Sequence, residues 1–208
     1  LGVVFHCNTT IGTDLNIDQL FEQGFDAIFM GTGTVKPRKP DIPGRNLRGV
    51  RQAVYFLRKV SLYNEGSIER EDVPVHEGDR VFVLGCGNTA IDAARTAIRM
   101  GARSVEIVYH RTINDMSALR SEYDEAVEEG VKFNWESNIV EILDMDGTLS
   151  GVVIEHNGER RTEKADKVLM AIGSVPASRI VSTTKGIDVD ESGYVLTRDG
   201  PCGMTSRN

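Results

Sequence analysis

The sequence predicts an α/β fold: a parallel β-sheet flanked by helices, with an antiparallel β-meander laid on it. Three observations carry that expectation. Arg80–Leu84 (RVFVL) reads as a buried strand, Thr89–Met100 as a helix closed by Gly101, and Ser104–Tyr109 (SVEIVY) as a second strand. Strand, turn, helix and strand within about 30 residues make one βαβ unit. Ile139–Leu143 and Val152–His156 flank Asp146-Gly147, a strong hairpin signal. Lys167–Ile172 is a further buried-type strand that ends at Gly173.

The remaining elements follow in order. Val3–Phe5 is a short apolar run and reads as a strand. Asp14–Gly24 reads as a helix, with Asp14 as N-cap, Ile17, Leu20 and Phe21 on one face, and Gly24 as the stop. Asp26–Met30 is another run of strand length, leading into Gly31-Thr32-Gly33. Pro37 to Pro43 cannot be helix interior and reads as an extended link. Val50–Leu62 has helical spacing, with Val50, Ala53, Val54, Leu57 and Val60 on one face, and Asn64–Gly78 is a polar loop. Ser117–Gly130 reads as a helix capped by Ser117, its apolar face made by Leu119, Tyr123, Ala126 and Val127, and Val131–Trp135 as the next strand.

The chemistry-bearing motif is Gly85-Cys86-Gly87-Asn88-Thr89-Ala90, which fits G-x-G-x-x-A. A bare match is weak, because Gly-rich turns are common. Here it follows a predicted strand and opens a predicted helix, as a Rossmann-like dinucleotide site requires. Gly85 permits the tight turn, Gly87 lets the backbone approach a pyrophosphate, and Ala90 lets the helix pack on the strand. The helix N-terminus then offers free N–H groups and a partial positive charge to phosphates. Asn88 and Thr89 are placed to add side-chain hydrogen bonds. The bland alternative is a structural βα turn without ligand.

The end of the second strand selects the nucleotide. NAD-binding units place an acid about 20 residues after the glycines, for the ribose 2′-OH. That count reaches Tyr109-His110-Arg111, with no acid. Arg111 pairs with a 2′-phosphate and His110 donates to it, so NADPH is expected. The alternative is a solvated arginine at a strand end. Arg103 and Arg120 are weaker phosphate candidates, with surface charge as the simpler reading of each, and Asp92, on the first turn of the phosphate helix, serves the helix dipole or lies near the nicotinamide side. Ala171 and Gly173 end a later strand, where such sheets bind ligands, so Gly173 faces the nicotinamide or is a plain turn glycine.

Composition excludes several classes. The net charge of −7 argues against a nucleic-acid surface. No apolar run approaches the roughly 20 residues needed to span a bilayer, and no secretory signal is visible. Cys7, Cys86 and Cys202 form no CxxC pair, which speaks for reduced thiols in a cytoplasmic protein and against a thioredoxin-reductase-like enzyme. The four histidines have no metal spacing, so no metal is assigned, and no catalytic residue is assigned because a bound cofactor would carry the chemistry. The opening Leu1-Gly2-Val3, without Met, and the closing Gly203–Asn208 run are read as marks of a piece of a longer protein.

The run Val81–Ala102, Val108-Tyr109-His110-Arg111 and Glu128–Phe133 resembles the small (beta) subunit of NADPH-dependent glutamate synthase and its relatives. Asp26–Gly33, Pro37-Arg38, Ile42-Pro43-Gly44 and Ala165–Gly173 look like the same family. The resemblance implies an NAD(P)-binding domain of the pyridine nucleotide-disulfide oxidoreductase type, inserted into an FAD domain. Residues 46–175 are then the NADPH domain, and 1–45 and 176–208 are passes into an incomplete FAD domain. It further implies FAD and iron–sulfur clusters in the full-length protein. The implied partner is the large subunit of glutamate synthase or another electron-acceptor subunit. The implied activity is electron transfer from NADPH for glutamate synthesis from glutamine and 2-oxoglutarate, with this piece alone inactive. A flavin subunit of a ferredoxin:NADP oxidoreductase or a dihydropyrimidine dehydrogenase-like enzyme is the nearest alternative, and a non-catalytic nucleotide-sensing module is another. The family commonly carries Arg-Arg where this chain has His110-Arg111.

Overall fold

A computed structural model describes residues 2–34, 36–176, 180 and 183–197. The chain divides into two compact units, Lys39–Gly173, and Leu1–Arg38 with Ser174–Asn208.

The larger unit contains β2 (Val50–Gln52), α2 (Ala53–Asn64), β3 (Arg80–Leu84), α3 (Asn88–Arg99), β4 (Ser104–Val108), α4 (Arg120–Glu128), β5 (Lys132–Asn134), β6 (Ser137–Met145), β7 (Thr148–His156), β8 (Glu159–Lys164) and β9 (Lys167–Met170). The smaller unit holds α1 (Ile17–Glu22), β1 (Lys36–Pro37) and β10 (Ser174–Val175).

Five strands form one parallel sheet in the order β2-β9-β3-β4-β5. Successive side chains of a strand point to opposite faces, and here both faces are covered. On one side Val81, Val83, Val105, Ile107 and Leu169 pack with Phe56, Ile91, Ala94 and Ala126 of α2, α3 and α4. On the other side Phe82, Val108, Val168 and Met170 pack with Ile139, Ile142, Val152 and Ile154 of the meander β6-β7-β8. All the helices of this unit thus lie on one face and the meander covers the other. That explains why β3 reads as an unbroken apolar run rather than an alternating one.

Both meander turns are Asx-Gly pairs with positive φ, as tight hairpins of matching twist require: Asp146-Gly147 (55° and 75°) and Asn157-Gly158 (50° and 82°). The second turn and β8 are additions to the sequence expectation. The polar run ERRTEK hides a strand that is exposed along most of its length.

Several local expectations are corrected. Val3–Phe5 and Asp26–Met30 form no strand. No described strand pairs with them, Phe29 is 95% exposed, and an apolar run without a ladder partner does not hold strand geometry. The first helix is shorter than Asp14–Gly24. Asn16 is its cap and forms a capping box with Gln19, while Asp14 instead accepts from the Thr10 N–H. Val50–Leu62 splits into β2 and α2, because Val50–Gln52 pairs with Val168–Met170. Ser117 does not cap α4. Leu119 holds that position, and both Leu119 (58%) and Val127 (46%) are exposed.

The smaller unit buries few of its described residues. Its buried described residues are Ile17, Thr184 and Ile187, while Val3, Val4, Phe5 and Phe29 are exposed. Cys202 and the Gly203–Asn208 run lie outside the described residues.

Candidate nucleotide site

The glycine turn leaves β3 at the carboxyl edge of the parallel sheet, between β9 and β4. Gly85 donates to Val108 O (3.1 Å), and Leu84 O accepts from Ala171 N (2.8 Å). Gly85 has φ +118°, and a Cβ there would collide with the Ala171 carbonyl. Its backbone therefore serves a tight turn and also a close approach to the strand next door. Gly87 is the N-cap of α3 at φ −96°, a conformation open to any residue. Its constraint is space, since a Cβ would stand 3.3 Å from Ser117 Oγ. Ala90 is fully buried beneath the turn.

The N–H groups of Gly87, Asn88 and Thr89 donate to no described residue, whereas those of Ala90 and Ile91 are satisfied by Gly87 O. Open amides at the start of a twelve-residue helix make a polar, electropositive edge suited to an anion. Asp92 stands in the second turn of α3, because the helix begins at Asn88, and it is exposed. Cys86 is buried in the turn, and burial pushes its thiol up to about 11. A thiol held neutral at that level is a packing group and not a nucleophile.

His110 and Arg111 follow β4 and are both exposed. The segment they open, residues 109–119, returns to the glycine turn. Asn88 Oδ1 accepts from Leu119 N (3.1 Å), so its acceptor is engaged by the loop and its amide NH2 group is the part left to a ligand. Tyr109 Oη donates to Asp115 O (2.9 Å). Thr112 N (3.2 Å) and Thr112 Oγ1 (2.7 Å) both donate to Asp115 Oδ2. Glu136 N donates to Arg111 O (3.0 Å). Beneath the segment lies an aromatic cluster: Tyr109 meets His110 edge-on at 5.0 Å and Trp135 at 6.2 Å, and Phe133 stacks on Trp135 at 5.3 Å.

Asp115 is an exposed acid of this segment. The Thr112 hydroxyl, then the Thr112 N–H, hold its carboxyl below the usual range, and the positive charges of Arg111 and His110 add to this. Sequence reasoning missed Asp115 and Ser117 as neighbours of the basic pair and the glycine turn. The Thr112/Asp115 spacing is the visible signal, since it repeats the geometry of a capping box.

The weaker arginine candidates are accounted for. Arg103 precedes β4 and so lies at the opposite edge of the sheet from His110. Arg120 contacts Asp124 (3.2 Å) and covers the Tyr123 ring at 4.8 Å. Ala171 lies against Gly85, and Gly173 is exposed with open space around it. Among the described residues no cluster of three or more His, Cys, Asp or Glu forms a metal site, and no helix is long and apolar enough to cross a membrane.

The sequence profile of the family described as pyridine nucleotide-disulphide oxidoreductase matches residues 3–202. The glutamate synthase (NADPH) small chain of Halomonas elongata is 36% identical over 213 residues, covering 94% of this chain and 45% of that protein. The protein of the same name from Escherichia coli (strain K12) is 32% identical, covering 96% of this chain and 46% of its own. The chain thus spans about half the length of these relatives. Among solved structures, Lactococcus lactis thioredoxin reductase superposes with a TM-score of 0.62 at 23% identity, over 82% of this chain and 53% of that one. At that identity the likeness is one of fold.

Proposed function

We propose, for a chain that belongs to the pyridine nucleotide-disulphide oxidoreductase family, that residues 46–175 are the NADPH-binding domain of a flavin-dependent oxidoreductase of the glutamate synthase small-subunit kind. The observation that carries this reading is the joining of two features on one rim. Open amides at the start of α3 adjoin a loop, residues 109–119, that reaches the turn through Leu119 and Asn88 and carries the exposed, basic His110-Arg111 pair.

In this reading Gly85 and Ala90 shape the turn, and the Gly87, Asn88 and Thr89 amides grip the diphosphate. Arg111 pairs with the 2′-phosphate and His110 donates to it. Ala171 and Gly173 border the nicotinamide side, at the carboxyl ends of strands where such sheets take ligands. When bound, NADPH supplies the hydride. The chain supplies position and charge, and no general acid or base is assigned. In this reading the FAD and the iron–sulfur centres belong to other parts of the full-length protein. Residues 1–45 and 176–208 are the passes toward the FAD domain. A large subunit that receives the electrons for glutamate synthesis is the partner this reading implies.

The test is a titration of the 208-residue chain with NADPH and with NADH, repeated for Arg111→Ala. A charge-assisted pair is worth about 1.5–3 kcal/mol, so the variant should lose about tenfold to a hundredfold in NADPH affinity and little for NADH. An unchanged preference removes Arg111 from the site.

A further inference from the structure

We infer that Asp115 sets the coenzyme preference of this site by opposing the 2′-phosphate, an inference that rests on the NADPH reading above. Its carboxylate, pinned by Thr112 in the loop that also carries His110 and Arg111, supplies from that loop the acid that the end of β4 lacks.

The carboxylate is fixed rather than free to swing away. Oδ2 takes two hydrogen bonds from Thr112, and the main-chain carbonyl of the same residue takes one from Tyr109 Oη. Tyr109 in turn packs on Trp135. Oδ1 accepts from no described residue. The positive charges of Arg111 and His110 act on this carboxylate. An incoming 2′-phosphate would meet two cations and one anion together, whereas a free 2′-hydroxyl meets only an available acceptor. Carboxylates at this end of a nucleotide site favour the hydroxyl. Asp115 is exposed, so water screens the repulsion and keeps it to a factor of about three to ten. The site is thereby held short of the full NADPH selectivity its basic pair would give.

The probes are adenosine 2′,5′-bisphosphate and 5′-AMP, which differ by the 2′-phosphate alone. The readout is Trp135, the one tryptophan in the chain, whose ring stands against Tyr109 beside His110. In Asp115→Asn, which keeps an oxygen for Thr112, the ratio of the two affinities should rise about three- to tenfold, through tighter binding of the bisphosphate and slightly weaker binding of 5′-AMP. In Asp115→Lys the ratio should rise further, and both gains should shrink as salt is added. A loop merely damaged by substitution weakens both probes together and leaves the ratio where it was. A ratio that does not follow the charge at position 115, while Arg111→Ala still abolishes the wild-type preference, overturns this inference and leaves the NADPH reading standing. Wild-type protein that binds neither probe overturns both.

Discussion

The glycine turn and the 109–119 segment meet at one rim, yet they are built by opposite means. The turn is main chain, buried between β9 and β4 and held by partners far away in sequence, Val108 and Ala171. The segment is side chain, exposed at His110, Arg111 and Asp115, with Asp115 itself held by neighbours a few residues off, Tyr109 and Thr112. A grip made of backbone accepts varied surface side chains and fails when a Cβ is added. A charge reader on an exposed loop accepts backbone adjustment and fails when one charge changes. Coenzyme affinity and coenzyme choice are therefore separable properties in this reading, and substitutions should separate them.

The largest effect is expected at the turn. Gly85→Ala places an L side chain at φ +118° and drives its Cβ into the Ala171 carbonyl. Strain and collision together should cost about 3 kcal/mol or more, read as a fall in the urea midpoint, with binding of both coenzymes lost in parallel. Gly173→Ala is the control. Its φ is +87°, but nothing lies within 4 Å of the added Cβ, so the cost should stay near the backbone penalty of about 1–2 kcal/mol. Equal losses at the two positions would mean that close approach to β9 contributes nothing.

Asn88 belongs to both regions and lets them be pulled apart. Its Oδ1 takes the Leu119 N–H, which no side chain of α4 itself satisfies. Asn88→Ala should therefore cost about 1 kcal/mol of stability. Asn88→Asp keeps that acceptor and puts a negative charge on the first residue of α3, which the helix dipole favours. Its stability should match or exceed wild type, while NADPH binding falls about tenfold because the new charge faces the diphosphate. If affinity and stability instead move together in both variants, Asn88 is a brace for the loop and not a ligand contact.

The contrast between the two regions also explains what could be read in advance. The βαβ unit was legible because its signals are local and strong: an apolar pentapeptide, a Gly-x-Gly turn and a small-residue helix face. The Asp146-Gly147 hairpin was legible from turn chemistry. The Asn157-Gly158 hairpin offered the same chemistry, but β8 presents Glu159–Lys164 to solvent and shows no apolar alternation. Val3–Phe5 and Asp26–Met30 had the composition of strands without a described partner to pair with, and pairing is a property of the fold rather than of the segment. In the proposed site, residues named for their own chemistry, such as Arg111, can be picked out from the sequence. Asp115 and Ser117 cannot, because what matters is which neighbour they reach. A loop whose course is set by Asn88, Tyr109 and Glu136 cannot be traced from spacing alone.

The smallest effect tests how α4 is held to α3. Segment 109–119 runs into α4, and α4 is clamped to α3 through Glu129. Arg95 Nε (3.0 Å) and Nη2 (2.7 Å) and Arg99 Nη2 (2.6 Å) all donate to Glu129 Oε1, while Arg95 also reaches Glu125 at 2.6 Å. The Arg95 hydrogen bond, with Arg99 behind it, holds the Glu129 carboxyl below the usual glutamate range. A carboxyl depressed on folding stabilises the native state above its unfolded value, about 4.3, and that contribution is lost as pH falls through the lower folded value. Glu129→Gln should thus lower stability at pH 7 by about 1 kcal/mol or less, since solvent reaches part of the cluster. The gap from wild type should close as the medium is taken below about pH 4. Urea midpoints of both proteins across that range measure it. Because the clamp joins the C-terminal ends of α3 and α4, away from the glycine turn, the variant should leave the ratio of NADPH to NADH affinity unchanged. A gap that widens on acidification would reverse the sign required of a depressed carboxyl, and the clamp would then have to be attributed to packing of the arginine stems rather than to charge.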